Sequence, residues 1–145
     1  MAAPTYTWEY VTNLFGLTTA PVIATLAASS ALETKVGTLL VMASGFVDEA
    51  TASVVLPIGL AAEKTDAALT EADPIKVQLL RPGDVIKGTS DADASAASGF
   101  SGKTFDLNTD GSMDYADSSS GCLSVWRTED AGLTVFCTPS KLAAF

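Results

Sequence analysis

Residues 106–117 read DLNTDGSMDYAD. The D-x-N-x-D-G start, with an acid at the twelfth place, is the spacing of a calcium-binding loop, whose oxygen ligands wrap a hard cation. The flanks argue for another use. A loop of the EF-hand or dockerin kind leads into a helix, whereas SSSGCLSVW follows here, a serine run and then a strand. The twelfth residue, Asp117, is shorter than the usual bidentate glutamate. Asn, Asp and Gly are also what a hairpin turn needs, because they accept positive φ and bond their own backbone. The spacing therefore reads as a turn, with no metal and no other cofactor expected. Tight calcium binding would favour the alternative, a secreted calcium-dependent adhesion or carbohydrate-binding β module. Asp106, Asp110, Asp114 and Asp117 have the chemistry of a glycosidase acid and base, but nothing sets two of them across a cleft, and they read as a solvated face.

The chain has 145 residues and no histidine. That removes Ser-His-Asp and Cys-His nucleophiles, HExxH zinc sites and the usual general base near neutral pH. No GxxxxGK[ST] or GxGxxG stretch occurs, so nucleotide chemistry has no foothold. No catalytic residue is assigned, and the chain is not read as an enzyme. A formal charge of −9 with eight scattered Lys and Arg leaves no basic face for nucleic acid or an anionic membrane. Residues 11–32 carry no charge, but Gly16, Pro21 and many hydroxyl side chains argue against a membrane span or export signal. Cys122 and Cys137 are too few for a disulfide framework. They flank the last expected hairpin, where a turn centred on Glu129 and Asp130 would face them across neighbouring strands, and free thiols are expected.

With 48% hydrophobic content the chain can bury a core. The expected fold is mostly β: small antiparallel barrel or sandwich units, an internal duplication, an extended N-terminal arm and at most one or two short helices. Residues 1–34 form the arm. TYTWEYV alternates Tyr6, Trp8 and Tyr10 on one side with Thr5, Thr7 and Glu9 on the other. These rings either cover this chain's own core or lie on a partner; the expectation is partner binding through Tyr6, Trp8, Tyr10 and Phe15, strongest at Trp8 and Tyr10. Residues 35–87 form a first β unit, with strands in KVGTLLVMA, SVVLPIGLAAE and PIKVQLLRPGDVIKG and a brief helix over 65–73 ended by Pro74. RPGD within it reads as a turn. Residues 88–98 read as a linker with little to bury, and 99–145 form a second β unit packed with the first. Gly45, Asp48 and Ala50 in GFVDEA recur as Gly111, Asp114 and Ala116 in GSMDYA, the mark of a degenerate repeat.

The order VGTLLVMASGFVDEA, PIGLAAEK, IKVQLLRPGDVIKG, GKTFDLNTDGSMDYADSSSGCLSVW and LTVFCTPSKL resembles the head decoration, or cement, proteins of tailed bacteriophages. The likeness spans about residues 35–142 and lies in turns and strand rhythm. It implies a small β-rich protein on the outer capsid surface of the virion. Its partner would be the major capsid protein, whose neighbouring subunits it bridges and stabilises. It further implies self-association as a trimer, without catalysis. The resemblance assigns no contact residue; the arm assignment rests on the four aromatic side chains alone.

Overall fold

The computed structural model describes residues 3–50, 57–118 and 121–140. Among the described residues eleven strands form in chain order: β1 (Glu9–Asn13), β2 (Ile23–Ala27), β3 (Leu39–Ala43), β4 (Phe46–Glu49), β5 (Pro57–Ala61), β6 (Pro74–Leu79), β7 (Asp84–Thr89), β8 (Asp106–Leu107), β9 (Met113–Asp114), β10 (Leu123–Glu129) and β11 (Thr134–Pro139). The fold is mostly β with antiparallel sheets, like a β-sandwich. One sheet has the order β1-β7-β11-β10, a second β2-β6-β5-β3-β4, and β8 pairs with β9 in a small ribbon. The far end of β2 also bridges to β4 at Ala28 and Val47, so the five-stranded sheet curls towards closure there.

The period of two in the strands, with a bulge at Ile58 that switches the face of β5, explains two neighbouring cores. Leu39 and Leu60 face a cluster with Trp8, Ile86, Phe105, Leu107, Met113, Leu123, Val125 and Val135. Leu40, Ile58 and Ala61 face the other side, with Ala28, Leu32, Val47, Ile75 and Val77. Because the five-stranded sheet is covered on both faces, β3 and β5 are almost continuously apolar.

Four expectations change. The arm is not free: residues 9–13 and 23–27 are strands paired with β7 and β6. β7, at the end of the expected first unit, pairs with β1 and β11 and so joins the sheet of β10 and β11. No helix forms over 65–73. The N–H groups of Leu69 and Ala72 bond instead to Leu32 and Ala28 across a loop, and Ala72 takes a positive φ of 71°. Burial of Leu69 against the second core outweighs the weak propensity of so short a segment. The linker also contributes to the interior, since Ala94 and Ala97 are buried in the first core around a single 3-10 turn, Ser95–Ala97. The SVVL start of the strand expected before Pro57, residues 119–120 of the Ser run and the end of the resemblance at 141–142 lie outside the described residues.

Gly45 and Gly111, the paired glycines of the repeat, both occupy hairpin turns with positive φ, 84° and 90°. Their hairpins differ in setting: β3–β4 lies in the five-stranded sheet, β8–β9 in the small ribbon. No helix among the described residues is long and apolar enough to cross a membrane.

Candidate interaction surface

Of the four aromatic residues assigned to partner binding, Trp8 faces inward. Its ring is 3% exposed and packs in the first core, and its indole N–H donates to the Gly111 carbonyl at 2.9 Å. The slot exists because residue 88 is glycine: a Cβ there would collide with the six-membered ring of Trp8. An indole fitted this closely, with its donor satisfied, serves the fold and cannot act as an outside anchor. The backbone of the same stretch is also tied down, with Trp8 N–H on Gly37 and Tyr6 N–H on Asp110, both at 2.8 Å. Tyr10 is half-buried, its hydroxyl 3.4 Å from the Arg81 guanidinium. Tyr6 is exposed, and Phe15 is exposed at 74%.

Phe15 lies in the β1–β2 connection, in the sequence LFGLTTAPVI over 14–23. Leu14, Leu17, Val22 and Ile23 are exposed alongside it. A run of large apolar side chains in water, free of any charge, is the feature of this surface that asks for a partner.

The connection is positioned by residues that the sequence presents only as a turn. Asp84, at the start of β7, is fully buried. It accepts from Arg81 Nε at 3.1 Å and Nη2 at 3.0 Å, from the Arg81 backbone N–H at 2.7 Å, and from Asn13 Nδ2 at 2.9 Å. Asn13 in turn accepts from the Phe15 N–H at 2.8 Å through Oδ1. Leu14 N–H donates to the Gly83 carbonyl at 2.8 Å. Gly83, with φ of 81°, brings its backbone so close that a Cβ would stand 2.8 Å from the Phe15 ring. A buried, charge-assisted network thus fixes the base of the apolar loop and leaves its side chains outward. The signal in the sequence was Asn13, the amide just before the apolar run that starts at Leu14, and Asp84 closing RPGD.

The acidic stretch is a hairpin. Asp106 pairs with Asp114 and Leu107 with Met113, while the Asn108 N–H donates to the Ser112 carbonyl. Asp110 Oδ1 accepts from both the N–H and the hydroxyl of Ser112, and Asn108 Nδ2 donates to Asp91 and to Ser112 Oγ. Positions three and five of the calcium-like spacing are therefore occupied with turn bonds. Among the described residues no group of three or more His, Cys, Asp or Glu is placed to hold a metal ion. Asp110 is held below the usual carboxylate range by its bonds from Ser112. Asp106 goes the other way. It is 8% exposed, its Oδ1 has no hydrogen-bond partner among the described residues, and burial, the adjoining Asp117 carboxyl and Asp114 push it up to about 6.

Cys122 and Cys137 are free and buried. They do not face each other. The turn lies at Asp130–Gly132, a bulge falls between Val125 and Arg127, and Cys137 is set opposite Val125 while Ser140 bonds to Cys122. Burial pushes the Cys122 thiol up to about 12 and raises that of Cys137 as well.

Comparison with family models, with curated proteins and with solved structures finds no match for this chain.

Proposed function

We propose that this chain is a capsid decoration protein that docks on the outside of an assembled phage head and bridges major capsid subunits. The observation that carries the reading is the uncharged apolar loop at 14–23, projecting Phe15 from a rigid β scaffold. The sequence resemblance supports the choice of partner. An acidic surface, with −9 in total, disfavours nucleic acid and leaves the apolar loop as the adhesive part.

The mechanism is mechanical. Burying Phe15, Leu17, Val22 and Ile23 at roughly 1.5 kcal/mol each gives about 6 kcal/mol gross, before the costs of ordering and lost rotation. Each docked copy binds only the assembled lattice, so its binding free energy adds to the work of separating the subunits it spans. The scaffold matters because a loop already fixed by Asn13 and Asp84 loses little entropy on docking. The anchors are Phe15 and its neighbours; Tyr6 and Trp8 lie beyond the other end of β1, where Trp8 is buried in the first core.

The test is co-sedimentation with heads of the source phage that lack this chain. Wild-type protein should pellet with the heads, and Phe15→Asp should stay in the supernatant with its circular dichroism unchanged. Equal pelleting of the two proteins would refute the loop's role.

A further inference from the structure

The two large sheets have four outer edges, and three are blunted. β1 carries Glu9 and a bulge between Tyr10 and Thr12, β10 carries Arg127, Glu129 and a bulge, and β4 ends in Asp48 and Glu49. Charges and bulges of this kind keep edges from pairing with other chains. β2 has neither. Its sequence IATLA is uncharged and stays in unbroken register with β6, from Ile23 opposite Gln78 to Ala27 opposite Pro74.

Leu79 N–H bonds to the Val22 carbonyl and Ala28 N–H to the Asp73 carbonyl. Even-numbered residues of β2 therefore spend their backbone groups on β6, and Ile23 and Thr25 turn N–H and C=O away from it. The far end of this edge is closed, because Ala28 bridges to Val47 and Ser29 N–H bonds to the Val47 carbonyl. What stays open is the short stretch where the apolar loop enters the strand. Val22 and Ile23, at 70% and 57% exposure, stand at that junction.

The overlap constrains whatever covers the loop. A surface that buries the Ile23 side chain also takes water from the Ile23 backbone, and a buried N–H or C=O left without a partner offsets much of what the side chain gains. An apolar pocket cannot supply the missing bonds. An extended segment can, since its own N–H and C=O groups alternate at the spacing of those on Ile23 and Thr25. We propose that, when this chain docks on the shell, the major capsid subunit contributes such a segment, which lies along β2 as a sixth strand of the five-stranded sheet. This pairing rests on the docking reading and names the backbone that the shell must present there. Its side-chain chemistry follows from the sheet. The residue across from Ile23 shares the face on which Ile23, Gln78 and Leu60 line a recess of about 290 Å³ with Tyr10 and Val36, so an apolar side chain belongs at that position. A second copy of this chain, itself at −9, would set like charge against like and is the poorer occupant.

Thr25 separates backbone pairing from mere cover. Thr25→Val keeps the N–H that points away from β6, whereas Thr25→Pro removes it and spares the ladder to β6. In co-sedimentation over a range of head concentrations, Thr25→Val should bind as wild type does. Thr25→Pro, with native circular dichroism, should bind at least about tenfold more weakly. Equal binding by Thr25→Val and folded Thr25→Pro would overturn the strand pairing and leave docking through Phe15 intact, whereas wild-type protein that does not bind heads would remove both. Should Thr25→Pro fail to fold, a map of decorated heads decides. Shell backbone about 4.8 Å from β2 supports the pairing; shell side chains alone, or a second copy of this chain, along that edge would overturn it.

Discussion

Replacing Asp106 by Asn should stabilise the protein, and most strongly above pH 6. The Asp106 carboxyl is buried, with no partner for Oδ1 among the described residues, opposite Asp114 and beside Asp117. It releases its proton at about 6 in the folded chain, against 3.8 as the ordinary value. Between those two values the folded state holds a proton that the unfolded state has lost. Stability is therefore full below pH 3.8 as far as this group is concerned, and falls as pH rises through 6. At about 1.4 kcal/mol per pH unit, the loss is about 3 kcal/mol. The carboxamide of Asp106→Asn would be neutral at every pH and could donate its N–H to Asp117. Glu49, raised chiefly by burial, slopes the same way, whereas Asp110 and Asp93, both lowered by bonds from serine, act in the opposite direction and only towards acid. Urea denaturation from pH 4.5 to 8 isolates the window. Wild-type stability should decline across it, while Asp106→Asn should decline less and exceed wild type at pH 8 by up to about 3 kcal/mol, roughly 10 °C in Tm for a domain of this size. A wild-type profile that is flat or rises from pH 5 to 8, or an Asn variant no more stable at pH 8, would show that the buried carboxylate carries no such penalty.

Three other perturbations probe the scaffold. Trp8→Ala empties a packed slot and leaves the Gly111 carbonyl without its donor, so urea melts should show a loss of about 3–5 kcal/mol. Gly88→Ala fills the same slot from the other side and should cost about 1–3 kcal/mol through overpacking. Asp84→Ala strips the Arg81 guanidinium and the Asn13 amide of their acceptor; it should destabilise by about 3 kcal/mol and speed hydrogen exchange at the Phe15 N–H, whose acceptor is Asn13. Both cysteines should resist a thiol reagent at pH 8 until denaturant is added, since burial holds Cys122 up to about 12 and raises Cys137 too.

The strand content was legible because the physical signals were local. LLVMA and KVQLL alternate or run apolar between glycines and prolines, and they form β3 and β6. The turn at 108–112 was legible for the same reason, since Asn108, Asp110 and Gly111 spend their chemistry on one another's backbone. What depended on distant neighbours was not. The alternation in TYTWEYV tells which residues share a side, but only the bare backbone at Gly88 decides that Trp8 turns inward. Ala94 and Ala97 look like linker residues until β10 and β11 close over them. Asp84 looks like one more turn acid, and its role in fixing Phe15 appears only when β7 is laid beside β1. The uncharged run at 11–32, read in the sequence for its bearing on a membrane span, contains the exposed apolar loop, and of the four aromatic residues assigned to partner binding Tyr6 and Phe15 are exposed.

A chain that works by adding contact area to a larger shell should be visible on that shell. Electron microscopy of particles purified from the lysate in which the chain is made should show a regular lattice of small protrusions on the outer head surface, with density for the loop at Phe15 touching the shell. Heads with a bare surface, and the chain left wholly in the soluble fraction, would mean that it does not act there.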